Sequence, residues 1–98
     1  MKIQILPSAM EDLSRGSRFY DSQELGLGDY FQDSLFSDID SLMLFAGIHR
    51  VIYGFHRSFS KRFPYAIYYK IQESKNILVF RVLDMRQNPQ QTVRDLGA

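Results

Sequence analysis

The sequence contains no cysteine, which excludes disulfides, cysteine-ligated zinc, iron–sulfur clusters and thiol catalysis together and leaves stability to the core. Only two histidines are present, His49 and His56, and their isolation argues against a metal site. No metal or other cofactor is expected. No apolar run approaches the ~20 residues needed to span a bilayer, and the opening Met1-Lys2-Ile3-Gln4-Ile5-Leu6-Pro7 lacks the apolar stretch of a signal peptide. A cytoplasmic protein with no membrane partner is the expectation. Gly-rich phosphate loops, His-Glu-x-x-His and the nucleophile elbow are missing too, so no textual signature of an enzyme is found.

At 98 residues with 45% hydrophobic content the chain suits one domain over residues 1–98 with a single core. Its net charge of +1 conceals an asymmetry. Residues 1–48 hold three Lys/Arg against eight Asp/Glu, a balance of −5, and residues 49–98 hold nine against three, a balance of +6. Between His49 and Arg62 stand Arg50, Arg57, Lys61 and Arg62 with both histidines and no acid. Such a run makes a positive surface that suits nucleic acid or an acidic protein segment.

Lys2 to Leu6 alternates as a half-buried strand, which Pro7 closes for want of an N–H. Ser8-Ala9-Met10-Glu11 reads as a capping box opening a helix, with Ala9, Leu13 and Tyr20 recurring at helical spacing until Gly26 and Gly28. Gly16 inside that helix predicts close approach of another backbone element. Asp29 predicts the cap of a second helix, whose stripe is Phe31, Leu35, Ile39, Leu42 and Phe45 or Ala46, with Asp33, Asp38 and Asp40 on the surface. Gly47 ends this helical hairpin.

The period then changes to two, predicting strands over Val51 to Phe59, Tyr65 to Ile71 and Asn76 to Leu83. Their short connections require antiparallel neighbours. Asn88-Pro89 breaks the last strand, and Gln90 to Ala98 reads as one loose helical turn or a frayed tail. The predicted fold is α+β, in the order β-α-α-β-β-β, with the helical hairpin on one face of an antiparallel sheet and the other face open.

Strict alternation sets Arg81 beside Ile77, Val79 and Leu83 in an otherwise apolar strand, where it is either a rim arginine paired with an acid such as Asp84 or part of a binding surface. With Arg57, Lys61, Arg62 and Arg86 it forms a candidate target-binding cluster, since guanidinium groups grip phosphate or carboxylate in a fork. Tyr65 and Tyr69 fall on the core side with Ile67 and Ile71, leaving Tyr68 exposed with Ala66 and Lys70 as weak support for base stacking. His49 or His56 would supply a general acid or base, against the commoner role of such histidines as surface contacts.

Arg62-Phe63-Pro64-Tyr65-Ala66-Ile67-Tyr68-Tyr69-Lys70-Ile71, then Ile77 to Leu83 and Arg86-Gln87-Asn88-Pro89, resemble the RelE/ParE toxin superfamily. Asp12-Leu13, Phe19-Tyr20 and Gly26-Leu27-Gly28 extend the resemblance over nearly the whole chain, the last two towards ParE-like members. It implies a small α+β toxin of a type II toxin–antitoxin system, neutralised by a cognate antitoxin. A second copy of the chain is a further candidate partner. Two activities occur in the superfamily: ribosome-dependent cleavage of mRNA, and inhibition of DNA gyrase without cleavage. Arg57 and Arg86 match catalytic positions of the cleaving type, but Ala66 and Thr92 replace its third-strand arginine and its tyrosine. The resemblance therefore favours the ParE-like activity, with the ribosome-dependent ribonuclease as the alternative and a non-toxic antitoxin-binding module as a third reading.

Overall fold

The computed structural model describes residues 2–73 and 75–97. Ser74, in the connection between the expected strands Tyr65 to Ile71 and Asn76 to Leu83, and Ala98 of the tail lie outside the described residues. The elements in chain order are β1 (Lys2–Ile5), α1 (Pro7–Gln23), α2 (Leu27–Asp40), α3 (Leu42–Phe45), β2 (Val51–Ile52), β3 (Phe55–Phe59), β4 (Tyr65–Gln72), β5 (Asn76–Asp84) and α4 (Pro89–Asp95). This is the α+β arrangement expected, with the short helix α3, the separate strand β2 and the terminal helix α4 in addition. The strands form one sheet in the order β1-β5-β4-β3-β2, and β1 runs parallel to β5, so the sheet is mixed. A parallel pair is open to β1 because the whole helical hairpin and three strands separate it from β5.

Pro7 starts α1 rather than merely ending β1, its missing N–H being one of the unpaired donors of a first turn. The expected capping box does not form: Leu6 is the cap residue, and the Ser8 hydroxyl donates instead to the Phe80 carbonyl at 2.8 Å, extending the contact of β5 past the end of β1. Helix α2 begins at Leu27, and its cap is the left-handed Gly26, three residues before the Asp29 expected there. Asp29 sits in its first turn, where a carboxylate suits the helix dipole.

Close backbone approach occurs at Gly28, where an added Cβ would meet the Ser17 carbonyl oxygen, while its N–H donates to Asp21 at 2.8 Å. At Gly16 the neighbour is a side chain: the Phe31 ring occupies the space a Cβ would take. Phe31 stacks on Tyr20 and meets Phe63 and Tyr65 edge-on, making the aromatic end of a core that continues through Leu13, Leu35, Ile39, Ile67, Tyr69, Ile77 and Val79.

The predicted strand Val51 to Phe59 is a two-residue hairpin. Tyr53 and Gly54 both have positive φ, the requirement of the tight turn whose twist matches paired strands, and Ile52 faces Phe55 across it. A second departure lies in β5. Phe80 is an extra residue between the pairs Tyr69–Val79 and Tyr68–Arg81, and this bulge reverses the alternation beyond it. Val82 thereby joins Ile77 and Val79 in the helix-side core, while Leu83 goes to the other face with Phe55, Ala66, Tyr68 and Leu96. That second apolar cluster covers part of the face predicted to be open. The tail is ordered helix, capped where the Asn88 side chain accepts from Gln90 N–H at 2.8 Å, with Leu96 buried at its end.

Candidate functional site

The five predicted contact residues do not form one patch. Arg81 is internal: its Nε donates to Asp12 Oδ2 at 2.8 Å, Nη2 to Asp12 Oδ1 at 2.9 Å and Nη1 to the Asp95 carbonyl at 2.8 Å. Asp12 Oδ2 also accepts the Val82 N–H at 2.9 Å, so one buried carboxylate ties α1, β5 and, through Arg81, α4 together. Hydrogen bonding to Asp12 holds the Arg81 charge above its ordinary pKa. The acid expected beside Arg81 was Asp84, and Asp84 instead pairs with Arg86.

Arg86 is exposed beyond β5, with Nε at 3.0 Å from Asp84 Oδ1 and Nη2 at 2.8 Å from Asp84 Oδ2. Burial alone would raise the Asp84 pKa, but the hydrogen bonds from Arg86 outweigh it and the net shift is downward. Asp84 faces Tyr65, whose hydroxyl is pushed up to about 12 by burial and by that carboxylate. Arg86 thus sits towards the helical side of the sheet, its Nη2 at 3.4 Å from the Tyr20 hydroxyl.

Arg57 lies on the opposite face. Its β4 partner is Tyr68, and it lines a groove of about 300 Å³ with Ile52, Tyr53, Phe59, Tyr68, Met85, Gln87, Pro89 and Thr92. The guanidinium lies 5.0 Å from the Phe59 ring centroid, which suits cation–π contact, and Nε is buried with no hydrogen-bond partner. Thr92 accepts from Gln87 Nε2 at 3.0 Å in this groove, and Ala66, paired with Phe59, is fully buried. No carboxylate or imidazole is among the lining side chains. Tyr68, expected as an exposed stacking surface, is buried against Phe55.

Lys61 and Arg62 project from the loop after β3, both exposed and, among the described residues, in no ion pair. The start of this loop, at Ser60 and Lys61, is held by Asp38, placed on the surface by helical spacing but in fact buried. It accepts from Ser60 Oγ at 2.7 Å and Lys61 N–H at 3.3 Å. Asp12 and Asp38 are the residues sequence reasoning missed. Asp12 carried a signal, because it falls between Ala9 and Gly16 on the core-facing stripe of α1.

The two histidines meet at Tyr69 on the helix side. The Tyr69 oxygen accepts the Gly47 N–H at 2.9 Å and lies 2.6 Å from His49 Nδ1, while His56 stacks on the Tyr69 ring and places its Nδ1 at 2.9 Å from the His49 carbonyl. A neutral imidazole fits either role in this contact, the His49 tautomer setting which partner donates. Burial, with His56 beside it, holds the His49 pKa down. The unfolded chain then takes up this proton more readily than the folded one. Stability from this source is complete above about pH 6.5 and is lost as pH falls below it. Thermal melts at about pH 7.5 and about pH 5 should differ more for the wild type than for His49→Gln; equal differences would remove His49 as the cause.

Among the described residues no group of three or more His, Asp or Glu is placed to hold a metal ion, and no helix is long and apolar enough to cross a membrane. Residues 3–89 match the family model described as ParE toxin of type II toxin-antitoxin system, parDE. No curated protein sequence matches. Among solved structures, the chain is similar to one described as the chromosomal ParDE TA system from P. aeruginosa. The TM-score is 0.80 at 16% identity, over 88% of this chain and 97% of that one, a likeness of fold.

Proposed function

Because this chain belongs to the ParE family of toxins from type II toxin–antitoxin systems, we propose that it halts growth by binding DNA gyrase and that a cognate antitoxin neutralises it. The observation that carries the non-cleaving reading is the groove over Arg57. Cleavage of a phosphodiester needs a group to move the proton of the attacking hydroxyl, and such assistance contributes about 100- to 10,000-fold. The groove has no imidazole, carboxylate or amine for this transfer, and its two tyrosine hydroxyls belong to Tyr53 of the exposed turn and to Tyr68, buried against Phe55. Arg57, Lys61, Arg62 and Arg86 are the proposed target contacts, and the internal Arg81 is left out of that set. Lys61 and Arg62, on a loop fixed by Asp38, would act chiefly on the rate of encounter, an effect that salt screens.

Purified protein should inhibit gyrase supercoiling, and the product of the neighbouring small open reading frame should restore it. Arg62→Glu should raise the inhibitory concentration about tenfold at low salt and less at high salt. A parallel ribosome assay should leave mRNA intact. Cleaved mRNA with unimpaired supercoiling would assign the protein to the ribonuclease class.

A further inference from the structure

We infer that the groove over Arg57 is a docking site for a protein segment that presents one carboxylate between large apolar side chains. The groove itself carries the argument, whichever macromolecule supplies the segment. Arg15, Arg18, Arg81 and Arg86 each lie within ion-pair distance of an acid, yet Arg57, partly buried on the sheet, has none among the described residues. A guanidinium removed from water without a counterion is costly, and the cost is relieved when an anion arrives. The buried Nε without an acceptor marks the same deficit. Packing over Phe59 restricts the side chain, so less of its freedom is lost on binding.

The rest of the groove selects the ligand. Arg57 is the single cation among lining residues that include no acid, so one negative charge is matched and a second is not. A nucleic-acid strand brings a phosphate with every nucleotide, and grooves that follow one hold cations along their length. Around Arg57 the rim is instead apolar and exposed, with Tyr53, Phe59 and Met85 each close to half accessible. Apolar side chains on either side of an aspartate or glutamate would cover these three while the carboxylate meets the planar fork.

The chain contains no tryptophan, so a peptide that carries one reports its own binding by fluorescence. The probe is acetyl-Ala-Leu-Glu-Trp-Ala-amide, compared with its Gln counterpart and with oligouridine, while NMR of isotope-labelled protein follows the Arg57 Nε–H. The Glu peptide should bind about tenfold or more tightly than the Gln peptide, the ratio for a charge-assisted hydrogen bond, and should shift the Arg57 resonance. Arg57→Gln should abolish the preference. Met85→Glu, which sets a competing carboxylate at the rim and leaves Arg57 in place, should do the same. Equal affinity for the two peptides, an unmoved Arg57 resonance or no binding at all would overturn the assignment. A shift produced by oligouridine at lower concentration than by the Glu peptide would give the groove to nucleic acid.

Discussion

Asp12→Ala is expected to lower the stability of the domain by about 3–5 kcal/mol, the cost of leaving one member of a buried ion pair without its partner. The side chain of Asp12 is 3% exposed and that of Arg81 21% exposed, so little water reaches either. Removing the carboxylate strands the guanidinium and leaves the Val82 N–H without an acceptor, since β1 ends before it can pair there. For a domain of this size, stable by roughly 5–15 kcal/mol, that loss corresponds to a fall in Tm on the order of 15 °C or more. Urea denaturation of Asp12→Ala, Arg81→Met and Asp12→Leu/Arg81→Met separates the terms. The double variant should recover most of the loss, because two apolar side chains need no partner. A loss under about 1 kcal/mol in Asp12→Ala would mean that the pair is not structural, and Arg81 would return to the set of target contacts.

The same pair explains where the sequence was legible and where it was not. Asp12 is a lone acid on the apolar stripe of α1, and Arg81 a lone cation in an apolar strand. Each is a visible anomaly, and each is the other's explanation. The bulge at Phe80 changes which residues beyond it face the helices, sending Val82 to the helix-side core and Leu83 to the other face. Alternation carries no mark of an inserted residue, so every side beyond Phe80 was assigned one step out of phase. The helical hairpin and strands β4 and β5 were legible because their periods run long. The Tyr53-Gly54 turn was not, because an apolar aromatic at positive φ is a rare turn residue and concealed a hairpin within one apparent strand. Ser8 shows the limit of a local motif: its hydroxyl had a capping role available and took the β5 carbonyl instead.

The charge asymmetry of the chain also changes meaning once the side chains are placed. Asp12 and Asp38 of the acidic half are buried and hold Arg81 and the Lys61 loop, so those acids organise the basic half. Arg81 and Arg86 are matched by acids, and of the cations first assigned to the target Arg57, Lys61 and Arg62 have no ion pair among the described residues. The legible feature was the cluster in sequence. Its division between the two faces of the sheet depends on register and could not be read from spacing.

Phe31→Ala should be equally severe, at about 3–5 kcal/mol, since the ring is fully buried and touches Tyr20, Phe63 and Tyr65. Gly16 makes the prediction sharper. Alanine normally favours a helix over glycine by about 1 kcal/mol. At this position, however, its methyl group would lie 2.5 Å from Phe31 Cζ, and three neighbouring rings prevent the Phe31 ring from swinging away. Overpacking of this kind costs about 1–3 kcal/mol, so Gly16→Ala alone should destabilise despite the gain in propensity. With Phe31→Ala in place the clash is gone and a cavity lies where the methyl points. Gly16→Ala should then stabilise by up to about 1 kcal/mol, reversing its sign. Denaturation midpoints of the two single variants and the double variant decide the matter. If Gly16→Ala has the same effect in both backgrounds, the glycine is not there to admit the ring, and the seat of Phe31 between the two helices has another cause.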